Sequence, residues 1–219
     1  MGNNLCTGDQ NPRPTSRAEL HQWIKEYQDG NTSRGQPNDW NISQITNLSE
    51  LFYKNSTFNE PIDRWETKQV LDMSEMFQGA SAFNQPIGNW STENVGNMNR
   101  MFLGASSFNQ DIGEWNTGNV EVMSSMFAYA EAFNRPIGKW DTSEVVEMDD
   151  MFDGATSFNQ PLNNWSVGKV VNMQCMFENA TSFNMPIDKW NTDKTNVYQL
   201  FEGATAMTHP YPTNVPGRW

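Results

Sequence analysis

The sequence has few of the side chains on which most catalytic and metal sites depend. It contains two histidines, His21 and His209, and two cysteines, Cys6 and Cys175. Two cysteines set no disulfide framework. Basic residues are also scarce, with 14 against 26 acidic ones and a net charge of −12. Since Lys and Arg supply most of the attraction to phosphates, this balance argues against a nucleic-acid partner.

Long apolar runs are missing as well. No stretch approaches the ~20 apolar residues that a membrane helix needs, so the sequence predicts no transmembrane segment. The first residues contain no charged start followed by an apolar stretch, which is the pattern of a secretory signal. We therefore expect an intracellular or organellar location, with the cell surface as the alternative.

The N-terminal residues have two interpretations. Gly2, followed by a small residue at position 6, comes close to the N-myristoylation pattern, although that pattern prefers Ser or Thr where Cys6 stands. A myristoyl group on Gly2 and a palmitoyl group on Cys6 would supply the two anchors needed for stable peripheral membrane attachment. The alternative is a plain polar tail.

Methionine, phenylalanine and tryptophan are abundant, at 13, 13 and 9 residues, and they recur with a period of 25. Two series of phenylalanines follow the same period as the tryptophans. Such spacing without insertions identifies a repeat array. The tryptophans that define it are Trp40, Trp65, Trp90, Trp115, Trp140, Trp165 and Trp190.

Taking tryptophan as position 1, apolar residues fall at positions 6, 9, 12, 13 and 16 of each repeat. This i, i+3, i+4 spacing predicts one face of a short helix. The Trp-x-Thr segment at positions 1 to 3 predicts a short strand with Trp and Thr on the same side. We therefore predict an α/β solenoid, a leucine-rich-repeat-like array of about seven 25-residue coils with a short parallel strand and a short helix in each.

The two ends of the array depart from the repeat. Ser16 and Glu19 form a capping box at the start of a predicted helix at 15–29, whose apolar stripe suits it to cover the first repeat. A recurrent asparagine at position 20 predicts a ladder that bonds neighbouring backbones. The predicted organisation is a polar tail at 1–14, a capping helix and linker at 15–39, a repeat solenoid at 40–207, and a C-terminal cap or tail at 208–219.

The segment from Met101 to Thr117 reads Met-Phe-x-Gly-Ala-x-x-Phe-Asn-Gln-x-Ile-Gly-x-Trp-Asn-Thr. This string resembles the BspA-like bacterial surface-protein repeat, a divergent leucine-rich-repeat family. The resemblance extends over about residues 40–207. It implies a solenoid used for adhesion or protein binding, with no enzymatic activity and no catalytic or binding residues to carry over.

Chemical sites have weak support in the residues. Methionines at helical spacing could be soft-metal ligands, but paired with phenylalanine they are more typical of a packed core. The recurrent threonines could form an ice-binding array, but one per repeat beside the tryptophan favours burial. Cys175 occupies a position that is polar in other repeats, so we expect it to face solvent. We predict no catalytic residues, no cofactor and no metal.

Function is expected where the repeats differ. Positions 25, 2 and 4 form a polar surface of mixed charge, which suits a specific protein interface. A second candidate is an acidic patch, which is either a solvated face or a docking site for a basic partner. The protein-binding candidates are Arg64, Glu66, Lys68, Glu114, Asn116, Lys139 and Asp141, and the acidic patch consists of Glu144, Glu147, Asp149, Asp150 and Asp153.

These observations predict a non-enzymatic protein-binding or scaffolding protein, a structural subunit of a larger assembly. The alternative is a cell-surface adhesin that binds host protein or glycan. The partner is expected to be another protein.

Overall fold

The computed structural model describes residues 11–210. It begins with one α-helix, α1, at Arg17–Gln28, followed by a single 3-10 turn at Pro37–Asp39. The Ser16 hydroxyl accepts a hydrogen bond from the Glu19 backbone N–H, and this bond fixes the start of α1. The helix therefore lies within the segment that the sequence assigns to a cap.

The 25-residue repeats stack on one another through parallel backbone contacts. The N–H groups of positions 9, 11, 13 and 15 donate to the carbonyls of positions 8, 10, 12 and 14 in the following repeat. Met73 thus donates to Asn97 at 3.0 Å and Phe77 to Met101 at 2.9 Å. Single-residue parallel bridges connect position 8 of successive repeats, at Asn47, Asp72, Asn97, Val122, Glu147, Asn172 and Asn196.

The short helix predicted in each repeat is not present: residues 40–207 contain no helix, and positions 9 to 16 form successive turns. Met76 donates to the carbonyl of Met73, three residues back, while alternate N–H groups point to the next repeat. Positions 11 and 15 have left-handed backbone in every repeat, as at Glu75 with φ 57° and Gly79 with φ 71°. A left-handed residue every fourth position prevents an α-helix from continuing.

The predicted strand at positions 1 to 3 is also not found there, because the parallel bridges lie at position 8. Trp and Thr of this segment are nevertheless buried together, with Trp65 3% and Thr67 2% exposed. The Thr67 hydroxyl donates to the carbonyl of Ser91 in the next repeat, at 3.0 Å. Threonine therefore pairs neighbouring repeats through its side chain rather than through a strand.

Aromatic side chains fill the interior at constant spacing. Phe77 stacks on Phe83 of its own repeat at 3.9 Å and on Phe102 of the next repeat at 5.6 Å. The tryptophans stack at similar intervals, with Trp65 and Trp90 6.2 Å apart. The methionines at positions 9 and 12 are fully buried in each repeat that carries them, which confirms the prediction that they form core.

Side-chain ladders reinforce the stack where the backbone turns. The Asn84 Oδ1 atom accepts from the backbone N–H of Asn109, and the same bond recurs between the position-20 asparagines along the array. The indole N–H of Trp90 donates to the carbonyl of Ile62 in the preceding repeat. The sequence prediction of an asparagine ladder that bonds backbone groups is confirmed.

Helix α1 covers the first repeat. Leu20, Trp23 and Ile24 are buried, and Trp23 meets Trp40 edge-on at 5.6 Å. Arg17 Nε donates to the carbonyl of Ser49, which stands at position 10 and has no preceding repeat to bond. The helix thus supplies both apolar cover and a hydrogen-bond donor to the exposed edge of the stack.

Candidate functional site

The predicted protein-binding residues form part of the outer surface beside the tryptophan ladder. All seven side chains are exposed, namely Arg64, Glu66, Lys68, Glu114, Asn116, Lys139 and Asp141. We call this group the mixed-charge face.

Three basic residues of the mixed-charge face pair with acids that lie 25 residues away along the chain. Lys139 lies 2.5 Å from Glu114, and Arg64 lies 3.2 Å from Asp39. A looser pair, at 3.7 Å, joins Lys68 to Glu93. These exposed pairs contribute little to stability but hold the charges in a fixed order along the stack.

Asn116 and Asp141 converge beside Gly118. A Cβ atom at this glycine would lie 3.4 Å from Asn116 Oδ1 and 3.5 Å from an Asp141 carboxylate oxygen. The pKa of Asp141 is lowered because its carboxylate accepts hydrogen bonds from the Ser143 side chain and backbone. Asp141 therefore stays ionised, and the mixed-charge face keeps a fixed negative group at this point.

A surface groove of about 350 Å³ opens at one edge of the mixed-charge face. Its volume is at the small end of the range for ligand sites. Glu114 and Lys139 are shared between the groove and the face. The lining residues are Asp111, Gly113, Glu114, Pro136, Gly138, Lys139, Pro161, Asn163 and Asn164.

The glycines of the groove are required by close packing. A Cβ atom on Gly113 would lie 2.5 Å from the Pro136 carbonyl oxygen, and one on Gly138 would lie 2.5 Å from that of Pro161. Neither glycine has left-handed backbone. The absence of a side chain lets the backbones of adjacent repeats approach, and it leaves the surface indented.

The predicted acidic patch lies on the turn side of the repeats, around the left-handed positions. Asp149 accepts from the Ser124 hydroxyl at 2.6 Å, while Glu144 is paired with Lys169 at 2.5 Å. Burial, followed by the charges of Asp149, Asp153 and Glu178, raises the pKa of the Asp150 carboxyl. Repulsion between neighbouring acids is therefore a property of this patch.

Tyr129 belongs to the same region and was not predicted. Its backbone has φ 56°, which is rare for a bulky residue. The ring lies so close to Gly154 that a Cβ there would be 2.6 Å from Tyr129 Cδ1. A hydrogen bond to Asp153, together with burial and the nearby acids, raises the pKa of Tyr129 to about 12. The phenol thus remains protonated and donates a hydrogen bond to Asp153 of the acidic patch.

We predict that Asp150→Asn stabilises the protein near neutral pH. The folded-state pKa of Asp150 is raised, so its ionised form is less favourable in the fold than in the unfolded chain. The cost is present above the raised pKa and disappears when the carboxyl is protonated in both states. We expect a gain below about 1 kcal/mol at about pH 7, since the site is partly solvated, and none near pH 3.

Urea unfolding at both pH values checks this prediction. Asparagine, like aspartate, tolerates the left-handed backbone of Asp150, φ 54°. Glu66→Gln, which removes an equal charge from the exposed mixed-charge face, serves as the control. A gain for Asp150→Asn that is equally large at both pH values would contradict the electrostatic explanation.

Cys175 does not face solvent as predicted: it is buried, with 7% of its surface exposed. It occupies position 11 with φ 54°, and its Sγ lies 3.8 Å from Gln199 Oε1 of the next repeat. Burial, followed by the nearby Glu178 carboxylate, raises the pKa of the thiol to about 12. The thiolate that nucleophilic or metal chemistry needs is therefore not populated at neutral pH.

Other chemical features of residues 11–210 are limited. In this range His, Cys, Asp and Glu side chains form no group of three or more that could hold a metal ion. Over the same residues, no helix combines the length and apolar character needed to cross a membrane. The lipidation candidates Gly2 and Cys6 lie outside the described residues.

Several groove residues were not singled out from the sequence. Asp111, Pro136 and Pro161 all stand at position 22, which recurs as a bend and carries no separate signal. A signal does exist at position 24. This position is Gly in the three central repeats and Asn or Asp toward both ends, as Asn38, Asp63, Gly88, Gly113, Gly138, Asn163 and Asp188.

Comparison with known protein families matches this chain twice, over residues 19–130 and 110–214, to the family described as "Mycoplasma protein of unknown function, DUF285". The chain belongs to the DUF285 family. The two overlapping matches support a repeat protein. No curated protein and no solved structure matches the chain. As a DUF285 member, the protein is a repeat protein whose family carries no assigned activity.

Proposed function

We propose that this DUF285 protein is a non-enzymatic protein-binding or scaffolding solenoid, a structural subunit of a larger assembly. The observation that carries the proposal is the division between repeated and variable residues. Aromatic, methionine and threonine side chains that recur are buried or bonded between repeats, as with Met123 and Thr117. The exposed positions differ from one repeat to the next, and this is where selective recognition can arise.

The mixed-charge face suits a specific protein partner. It alternates positive and negative groups in a fixed order, and adjacent repeats hold that order through ion pairs such as Lys139–Glu114. Such patterns set register and exclude wrong partners more than they add affinity. Seven repeats spaced ~4.8 Å apart form a stack about 30 Å long. This length is about the edge of a square patch of ~800 Å², the area that each partner contributes to a standard interface.

The resemblance to BspA-like surface repeats supports the solenoid architecture and a binding role. It also supports the second candidate, an adhesin for host protein or glycan, which would use the same outer surface. The match to DUF285 agrees with a repeat family and does not choose between the two. Capture of partners from native lysate, identified by mass spectrometry, separates assembly subunits from host-surface molecules.

We predict that reversing two charges of the mixed-charge face weakens binding to the captured partner. In the double variant Arg64→Glu with Lys139→Glu, the new carboxylates lie beside Asp39 and Glu114, the acids that pair with Arg64 and Lys139 in the wild type. The order of positive and negative charges along the face is therefore lost. We expect about a tenfold loss of affinity, or ~1.4 kcal/mol. Neutralising Asp149, Asp150 and Asp153 should have a smaller effect, since a field of one sign attracts without specifying register.

Affinities of the variants are measured at low and moderate salt. The double variant Lys25→Glu with Lys54→Glu provides the control, because it changes the net charge by the same amount on α1 and on the turn side. If the acidic triple variant loses binding while the reversal of Arg64 and Lys139 retains it, the acidic patch is the interface. Equal losses in the control would indicate a net-charge effect only.

A further inference from the structure

Toward both ends of the array, the side chain of asparagine at position 24 accepts a hydrogen bond from a backbone N–H. Asn38 Oδ1 accepts from the Arg64 backbone N–H of the next repeat at 2.8 Å. Asn163 Oδ1 accepts in the same way from the Lys189 N–H at 3.0 Å. In these repeats an amide oxygen of the protein therefore satisfies the N–H of position 25.

The groove lies where this acceptor is missing. Gly113 and Gly138 replace asparagine, so the following position-25 residues, Lys139 and Asn164, receive no side-chain oxygen. Their backbone N–H groups donate to no group within residues 11–210. All four residues line the groove. Glu114, which follows Gly88 in the same way, is a third position-25 residue of the groove that receives no side-chain oxygen. The groove is therefore lined by backbone N–H groups that lack the acceptor present at Arg64 and Lys189.

The charges of the groove disfavour an anionic ligand. Lys139 is already paired with Glu114, and Asp111 adds a second carboxylate, whose Oδ1 accepts from the Gly113 N–H. An anionic ligand would meet this net negative charge, whereas neutral carbonyl oxygens meet no repulsion. The rings of Pro136 and Pro161 supply apolar walls. Donors, acceptors and apolar surface together match a peptide backbone.

We propose that this groove binds an extended peptide segment of a partner protein that carries no acidic side chain. Carbonyl oxygens of the segment accept from the N–H groups of Lys139 and Asn164, as the side chains of Asn38 and Asn163 do for their own neighbours. Peptide N–H groups donate to the remaining oxygen of Asp111. The inference rests on the proposed protein-binding function and names the chemistry of the segment that is recognised.

The test is a ¹⁵N NMR titration of the full chain with the peptide acetyl-Thr-Asn-Thr-Asn-Thr-amide, which is uncharged and favours extended backbone. We expect the amide resonances of Lys139 and Asn164 to shift and saturate together. The amide of Arg64 provides an internal control, because its N–H is already bonded to Asn38 and neither residue lines the groove. The resonance of this amide should not shift.

A pair of variants tests the apolar walls. Pro136→Ala with Pro161→Ala removes both rings and keeps the backbone carbonyls, so peptide affinity should fall about fivefold or more. Pro61→Ala with Pro186→Ala removes two prolines from the same repeat position outside the groove and should leave affinity unchanged. Circular dichroism of both variants establishes that each retains the fold.

Three results would overturn the inference: no saturable shift at Lys139 and Asn164, an equal shift at Arg64, or equal affinity of the two proline variants. Saturable shifts with chitotriose and none with the peptide would assign the groove to a neutral glycan instead. If the peptide fails while wild type and Pro136→Ala/Pro161→Ala capture the native partner equally, the groove is not the peptide site. The proposed protein-binding function would then remain intact.

Discussion

Replacing Met126 with aspartate should destabilise the protein by at least about 4 kcal/mol. Met126 has no exposed surface and occupies position 12, between the equally buried Met101 and Met151 of the adjacent repeats. A carboxylate there would lose its water without gaining a partner, because its neighbours are apolar. The loss is expected in the free energy of unfolding measured by urea denaturation.

A matched variant separates burial from charge. Val171→Asp adds the same charge in place of an apolar side chain that is 50% exposed. We expect a change below about 0.5 kcal/mol. If both variants unfolded at the same urea concentration, the assignment of position 12 to the core would be wrong.

Gly113→Ala should cost about 2–4 kcal/mol, although it adds a single methyl group. That methyl would lie 2.5 Å from the Pro136 carbonyl oxygen, well inside van der Waals contact. The obstructing atom belongs to the backbone of the next repeat and cannot rotate away as a side chain would. Relief requires the two repeats to separate, which would weaken the hydrogen bonds that join them.

Gly168→Ala is the control for this prediction. A methyl group on Gly168 would meet no atom of another repeat within 4 Å, and the backbone there is not left-handed, so alanine fits without strain. Alanine there should be neutral or stabilise by about 0.4–1 kcal/mol, because it restricts the unfolded chain. Comparable destabilisation by the two substitutions, measured as the shift in thermal midpoint, would show that close approach between repeats is not the cause.

The face and the groove differ in how far the sequence could predict them. The seven residues of the mixed-charge face follow from the alternation of their positions with buried Trp and Thr, and all seven are exposed. The groove was not predicted, because it forms only when the glycine of one repeat meets the proline of the next. Gly113 and Pro136 are 23 residues apart, and their contact depends on the stacking register.

The sequence by itself determined the period, the core positions and the start of α1. A recurrent side chain that is apolar, such as Phe127 or Met126, must be buried in every repeat or in none, so periodicity alone identifies the interior. Ser16 and Glu19 likewise form a local pair, which needs no tertiary information.

Only the tertiary structure decided what backbone lies between those core positions. Apolar residues three apart fit an α-helix, but they equally fit successive turns closed by i to i−3 bonds, as from Met76 to Met73. The choice depends on where the intervening N–H groups donate. Here they bond to the next repeat, as Glu75 does to Asn99, and that partner is 24 residues away. Local propensity contains no information about it, so the predicted helices became turns.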